Sequence, residues 1–130
     1  MFKKIVLAVL TSAFLLVSAV ASADPVTIVF SCELNDGKTK DDAMAVNAKW
    51  LKWARATGGS DEITSTFVAT LVGDFDGFMW VDTYPDLATW AKVWDADLEA
   101  DEPEVSAGFD DVETCSGNRM VRGEQTVPAK

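Results

Sequence analysis

The order in which two hydrophobic periods follow one another constrains the fold of this chain most. From Val26 to Leu34, apolar residues alternate with mixed ones, as in a strand with one buried face. From Lys40 to Ala56, apolar residues recur every three or four positions, as in an amphipathic helix. Both periods return further along the chain. The pattern therefore predicts a sheet with helices packed on it.

The first helix carries a start signal and a stop signal. Thr39 is suited to cap its beginning, and Asp42 lies where an acid favours the first turn. The pair Gly58-Gly59 predicts its end. The predicted core-facing stripe consists of Ala43, Val46, Trp50, Trp53 and Thr57, widened by Met44, Ala48 and Leu51.

Three further strands are expected. Residues 63–72 are rich in β-branched side chains, residues 73–77 have the composition of a hairpin turn, and residues 78–84 form an aromatic strand. Residues 118–122 suit a last strand. Between these strands, Pro85-Asp86 opens a second helix, whose apolar face is Leu87, Trp90, Ala91, Trp94 and Leu98.

A third, short helix is expected from Pro103 to about Val112. The element order is then β-α-β-β-α-(α)-β. This is the ferredoxin-like α+β arrangement, a four-stranded antiparallel sheet with helices on one face. We expect the strand order 4-1-3-2, with strands one and three parallel in the centre. Residues 24–122 form one domain, and residues 123–130 form a flexible tail.

The first 23 residues have the features of a secretory signal peptide. Lys3 and Lys4 precede an apolar stretch from residue 5 to residue 20, and Ala21-Ser22-Ala23 supplies small residues for cleavage. A membrane anchor is the alternative, but the stretch is short for a bilayer span of about 20 residues. We therefore expect cleavage after Ala23 and a periplasmic or secreted protein without a membrane attachment.

Charge and composition exclude several function classes. The chain has 11 basic and 21 acidic residues. Removal of Lys3 and Lys4 with the signal peptide makes the mature part still more acidic, so nucleic acid and anionic lipid are not expected partners. The chain has no histidine. This excludes Ser-His-Asp and Cys-His catalysis, the usual zinc ligand sets and histidine-ligated haem. We expect no metal and no cofactor.

The two cysteines, Cys32 and Cys115, are expected to form a disulfide. In the predicted sheet, strand four runs antiparallel beside strand one, so the start of strand four lies next to the end of strand one. Cys115 precedes that start and Cys32 lies near that end. An exported protein meets an oxidising environment.

In the order of its secondary-structure elements, the chain resembles the dimeric α/β-barrel superfamily, with its antibiotic-biosynthesis-monooxygenase-like and NIPSNAP-like families. The resemblance covers residues 26–122. It rests on the element order, on the tryptophan-bearing helices and on Tyr84-Pro85-Asp86-Leu87 at the start of the second helix. Members of this group pair their open sheet faces into a dimer, and many bind small aromatic or haem-like ligands. The resemblance implies a homodimer. The members that use histidine are no model for this chain.

The sheet pattern independently indicates a dimer. Val29, Val68 and Val72 are expected to face away from the helices, among threonines. A two-layer domain would leave that half-apolar face in water, and such a patch often marks an interface.

Acidic residues inside strands are the candidates for catalysis. Glu33 and Asp82 lie near the ends of strands one and three, and Tyr84 shares the face of Asp82. If those strands are parallel, the two acids meet, on the face opposite the core. They could then act as a general base with a hydrogen-bond donor, or as a cation site. A solvated strand end, or a pairing with Arg119 or Arg122, is the alternative.

Trp80 and Tyr84 are the candidate ligand-binding residues, because the face of Trp80 is uncertain from sequence. The other four tryptophans (Trp50, Trp53, Trp90 and Trp94) recur at helical spacing and are expected in the core. The acidic residues of 74–76 and 95–104 are expected to be turn and surface residues rather than a calcium site, because the further ligands of a calcium loop are missing.

Three functions remain open. The first is non-catalytic binding of a small apolar or aromatic ligand, or of a protein partner. The second is a cofactor-free enzyme of monooxygenase, isomerase or lyase type with an acidic base, which requires such an acid in a cleft with a raised pKa. The third is a structural envelope protein without a pocket.

Overall fold

The computed structural model describes residues 24–73, 77–99, 103–124, 126 and 128. The predicted signal peptide lies outside the described residues, as do Asp74 and Asp76 of the expected hairpin turn. Among the helices of the described part, none has the length and apolar character needed to cross a membrane. The elements are β1 (Val26–Leu34), α1 (Lys40–Gly58), β2 (Thr64–Ala69), β3 (Phe78–Tyr84), α2 (Leu87–Glu99), α3 (Pro103–Val112) and β4 (Glu113–Val121).

The four strands form one antiparallel sheet in the order β2-β3-β1-β4. The ferredoxin-like α+β fold and its strand order are therefore confirmed. The expectation of parallel central strands was wrong, because β1 and β3 pair antiparallel. Helix α1 connects β1 to β2 so that these two strands run in the same direction. The short β2–β3 connection then reverses the chain, so β3 runs antiparallel to both.

The predicted ends of two strands were also wrong. β2 stops at Ala69, which pairs with Phe78, and Leu71 and Val72 beyond it are almost fully exposed. β4 begins at Glu113, five residues before the expected start, because its first residues pair with the end of β1. An irregularity in the ladder between Ser31 and Cys32 accommodates this longer pairing.

Helix α1 begins and ends as its sequence signals predict. The Thr39 side chain accepts a hydrogen bond from the backbone of Asp42, and the Asp42 carboxylate accepts one from the backbone of Thr39. Gly59 ends the helix with a left-handed φ of 70°. Gly58 packs so closely that a Cβ there would lie 2.9 Å from Cδ1 of Ile63.

The face that α1 buries differs from the predicted stripe. Its buried residues are Ala43, Asn47, Ala54 and Gly58, whereas Met44 and Ala48 are exposed. Small side chains let the helix approach the sheet closely, and the larger Trp50 and Trp53 flank the contact, partly buried.

In α2, the predicted apolar face was likewise rotated. Thr89 and Val93 are buried, while Leu87 is 50% exposed and Trp94 is 37% exposed. The helix starts after Asp86, whose carboxylate accepts a hydrogen bond from the backbone of Thr89 at 2.6 Å.

The inner, helix-covered face of the sheet carries the core. Along β3, the even-numbered residues are buried and the odd-numbered residues are half-buried. The buried side chains form two clusters, one around Val26, Tyr84 and Ile63, the other around Cys32 and Phe78. None of the three described helices covers the opposite face, which carries Val29 and Val81, paired across the two central strands.

Candidate functional site

A cavity of about 520 Å³ lies between the inner sheet face and the three helices. Its deep part is formed by buried residues of β1, β3 and α1, including Ile28, Asp82 and Asn47. Exposed residues surround its mouth, among them Asp110 and Thr114. This volume is typical of sites for small molecules.

Asp82 is the most deeply placed acid of the cavity, with 4% of its surface exposed. It stands on β3 directly opposite Ser65 of β2. The Ser65 hydroxyl donates a hydrogen bond to Oδ1 of Asp82 at 2.5 Å. Above the sheet, Nδ2 of Asn47 on α1 donates to the same hydroxyl oxygen at 2.9 Å. A chain from helix to sheet thus fixes the carboxyl group.

Ser65 can serve Asp82 in both of its protonation states. Oδ1 of Asn47 lies 3.3 Å from the Ser65 hydroxyl oxygen. A hydroxyl has one proton, so it donates to ionised Asp82 or, after rotation, to Asn47 while protonated Asp82 donates to it. The rearrangement moves no heavy atom. The site can therefore gain and lose a proton at Asp82 without repacking.

Burial raises the pKa of Asp82 to about 7, and the negative charge of Glu113 adds to this effect. The Ser65 hydrogen bond acts in the opposite direction, because it favours the ionised form. At neutral pH the carboxyl group is close to half ionised, the condition under which a general base both accepts and releases a proton readily.

Glu113 is a second buried acid, with 5% of its surface exposed. Nε1 of Trp80 donates to both carboxylate oxygens, at 2.8 and 3.1 Å. Burial raises the pKa of Glu113, and the Trp80 hydrogen bond partly offsets the rise. Trp80 therefore cannot offer its ring N–H to a ligand.

Tyr84 lies two residues beyond Asp82 on the same face and is 4% exposed. Burial raises the pKa of its hydroxyl above the ordinary value, helped by the charges of Asp82 and Asp97. The hydroxyl therefore stays protonated at physiological pH and can donate a hydrogen bond. Burial also raises the pKa of Asp97, a further acid lining the cavity.

Aromatic rings make much of the cavity wall. Four of the five tryptophans line it: Trp50, Trp80, Trp90 and Trp94. The rings of Trp90 and Trp94 are stacked, with centroids 5.7 Å apart. Trp53 lies in the core as expected, since Trp53 packs beside a core cluster and is not among the cavity-lining residues. For the other helix tryptophans, core packing and cavity lining coincide.

The predicted catalytic residues are only partly brought together. Asp82, Tyr84 and Trp80 share the cavity. Glu33 is exposed and is not among the cavity-lining residues. It was expected beside Asp82 because β1 and β3 were taken as parallel; in the antiparallel register Asp82 stands opposite Ile28, near the other end of β1. Asp82 also lies on the core face, not opposite to it.

The structure places Cys32 and Cys115 at disulfide distance, with the sulfur atoms 1.99 Å apart. Together with Glu113 they form a close group of potential metal ligands among the described residues. The sulfurs are bonded to each other and present no thiolate, so this group is not a metal site in the oxidised protein.

Sequence reasoning missed Ser65, Asn47 and Glu113. Asn47 had a usable signal, because it continues the spacing of Ala43, Trp50 and Ala54 as a polar residue on the buried stripe. Glu113 had none, because the last strand was expected to begin later. Asp97 belongs to the acidic run that was interpreted as solvated surface.

No protein-family model matches this chain, and no curated protein matches it. Among solved structures, the cofactor-independent oxygenase SnoaB from Streptomyces nogalater is similar, with a TM-score of 0.57 and 13% identity over 82% of this chain and 100% of the oxygenase. A mutant of that oxygenase is similar with a TM-score of 0.58 and the same identity and coverage. The chain shares the ferredoxin-like α+β fold with this oxygenase.

A dimeric protein of unknown function with a ferredoxin-like fold, from Bacteroides fragilis, is similar over 78% of this chain and 96% of its own, with 15% identity and a TM-score of 0.37. The likeness to the oxygenase, at 13% identity, shows a shared fold, and the activity must be argued from the cavity.

Proposed function

We propose that this protein is a cofactor-free enzyme that removes a proton from a small, largely aromatic or apolar substrate, with Asp82 as general base. The observation that carries the proposal is the position of Asp82. It is a buried carboxyl group in a cavity, hydrogen-bonded to Ser65, with its pKa raised to about 7. Such perturbed acids in clefts are concentrated at functional sites.

The neighbouring groups have complementary roles in this step. The ionised carboxylate of Asp82 accepts the proton of a substrate C–H or O–H group, and the substrate keeps the electron pair. Ser65 then rotates to accept a hydrogen bond from the newly protonated Asp82. Tyr84, protonated at neutral pH, is the donor that orients a substrate oxygen.

The cavity suits an aromatic or apolar substrate. Trp50, Trp80 and Trp90 provide apolar surface beside Asp82, and a positioned base is what proton transfer requires. The fold is compatible with it too, since SnoaB is a cofactor-independent oxygenase. Proton removal from an electron-rich aromatic substrate is an available first step for such a reaction.

Non-catalytic binding of the same ligands is the second candidate, because the cavity alone would support it. The raised pKa of Asp82 favours the enzyme, since mere retention of an apolar ligand does not need a buried titrating base. The cavity counts against the third function, a structural protein without a pocket.

Proton exchange tests the proposal. Purified protein is incubated in D₂O with a panel of aromatic ketones and polyphenols, each with and without an amino group, and deuterium incorporation is followed by NMR, with oxygen uptake measured in parallel. We expect incorporation to depend on the protein and to fall at least about 100-fold in Asp82→Asn. Glu33→Gln is the matched control, an exposed acid outside the cavity. Equal exchange in the wild type and in Asp82→Asn would refute general-base catalysis.

We further propose export and homodimer formation. Export rests on the signal-like residues 1–23, and N-terminal sequencing of the protein from its host, starting at Asp24, is the expected result. A two-fold dimer would cover the outer sheet face, where Val29, Val81 and Val68 are half-buried in the single chain.

A further inference from the structure

The acids of the cavity have no basic partner among the described residues that line it. Asp82 and Glu113 are buried there, and Asp97 and Asp110 lie nearer its mouth. The ion pairs of the described residues are formed elsewhere, by Lys38 and Arg122 with other acids. Within the described part of the chain, the charges that act on Asp82 and Tyr84 are those of Glu113, Asp97 and Asp82 itself, all negative. The cavity therefore has a negative potential.

Asp82 also has an oxygen without a donor. Ser65 donates to Oδ1, and no residue in the described part of the chain donates to Oδ2. The side chain is more than nine-tenths buried and lines the cavity. Every fully buried side-chain oxygen or nitrogen of the described residues has a hydrogen-bond partner, so Oδ2 of Asp82, which has none, is accessible from the cavity. A group carrying N–H donors and positive charge would satisfy it.

The walls around this oxygen are suited to a cation. The face of an aromatic ring is electron-rich, and tryptophan attracts a cation more strongly than the other aromatic residues do. Trp50, Trp80, Trp90 and Trp94 line the same cavity as Asp82. A positive group that enters would thus meet both aromatic rings and carboxylates.

The arrangement favours an organic cation over a metal ion. Metal ions such as Ca²⁺ need several oxygens converging at short distance. In the part of the chain that the structure describes, the one close group of potential ligands is Cys32, Glu113 and Cys115, which the disulfide occupies. The carboxylates of Asp82, Asp97 and Glu113 are therefore spread over the cavity, as suits a larger, diffuse charge.

We infer that the substrate or ligand of this cavity is a small organic cation, a protonated amine or quaternary ammonium group on an apolar body. The inference rests on the proposed function in that it names the substrate class of the same site. The amine lies against Asp82 and Glu113, and the apolar body lies between the tryptophans. The strongly acidic chain attracts such a cation from solution.

Three probes with one aromatic body separate charge from shape: 2-phenylethylamine, 2-phenylethanol and phenylacetate. Binding to the purified protein is measured by calorimetry at pH 7.5, in low and in physiological salt. We expect the amine to bind about tenfold or more tightly than the alcohol, and phenylacetate not to bind. Added salt should weaken the amine more than the alcohol. Equal affinity for amine and alcohol, binding of phenylacetate, or no amine binding at 10 mM (roughly the weakest affinity of interest) would overturn the inference.

Variants locate the charge that selects the amine. Glu113→Gln keeps an acceptor for Trp80 and removes the negative charge, so the preference for the amine should fall several-fold while the affinity for the alcohol stays the same. Glu33→Gln, outside the cavity, should give the same result as the wild type with each of the three probes. A full preference retained in Glu113→Gln would contradict this placement. Calcium is the fourth probe. If Ca²⁺ displaces the amine competitively at micromolar concentration, the site binds a metal ion and the inference of an organic cation is wrong.

Failure of this inference and failure of the proposed function are distinguishable. If neutral aromatic probes bind as well as the amine and Asp82-dependent exchange persists, the substrate class is wrong and the general base stands. If the amine is preferred but exchange is the same in the wild type and in Asp82→Asn, the cavity binds cations without using Asp82 as a base.

Discussion

Ser65 and Asp82 stand opposite each other across the β2–β3 ladder and share a hydrogen bond on the helix-covered face of the sheet. A polar pair of this kind in a core is costly unless it is satisfied, and Asn47 completes it from α1. The pair thus links the packing of the domain to the protonation state of the cavity.

Asp82→Asn should change how stability depends on pH. The folded pKa of Asp82, about 7, lies above its ordinary value of 3.8. Folded protein therefore holds a proton that unfolded protein has lost, and stability present below about pH 4 is lost as the pH rises through about 7. The amide side chain of the Asp82→Asn variant does not titrate, so the variant lacks this pH dependence.

Urea unfolding of the wild type and of Asp82→Asn at pH 4 and pH 8.5 measures the effect. The wild type should lose up to about 4 kcal/mol relative to the variant between these pH values, at about 1.4 kcal/mol per pKa unit. Glu113, Asp97 and Tyr84 titrate in both proteins, so they largely cancel in the difference. A difference that does not change with pH would show that Asp82 titrates normally.

Ser65→Ala should raise the pKa of Asp82 further. The Ser65 hydrogen bond favours the ionised carboxylate, so its loss leaves burial and the charge of Glu113 unopposed. The pH midpoint of tryptophan fluorescence, or of the Asp82 carboxyl signal in NMR, should move upward. Thr64→Ala, one residue away on the outer face, should leave it in place. A midpoint that moves downward in Ser65→Ala would contradict the assigned hydrogen bond.

The sequence was sufficient for the strand order, which followed from the element order, but not for the site. Alternation correctly put Asp82 and Tyr84 on one face of β3, but that face was expected opposite the core and is the buried one. The rotation of α1 could not be predicted, because the tryptophans dominate any apolar stripe, whereas close packing depends on Ala43, Ala54 and Gly58. Since large side chains are displaced to the flanks, the cavity and Asn47 were not foreseen.

The disulfide between Cys32 and Cys115 should be found in protein purified without reductant. These residues pair directly across the β1–β4 ladder and are 83 positions apart. A link over so long a loop stabilises the fold by about 4 kcal/mol on the chain-entropy model. The mass of the unreduced protein should be lower by two hydrogens than that of the dithiol form, and digestion should give the two cysteine peptides linked. The double variant Cys32→Ser/Cys115→Ser should unfold at a lower urea concentration. Two freely alkylated thiols in the native protein would refute the bond.

The homodimer should depend on the centre of the outer sheet face. Val81 lies there, between Thr66 on β2 and Val29 on β1. Because helices cover only the other face, a second copy is the partner that would bury both patches at once. We expect light scattering at micromolar concentration to give the dimer mass for the wild type. Val81→Lys should give a folded monomer, because a charge at the centre of a buried interface is costly.

Leu71→Lys, at a residue 93% exposed beyond the end of β2, is the matched control and should remain dimeric. A wild type of monomer mass, or a Val81→Lys variant that dimerises as well as the control, would exclude this interface.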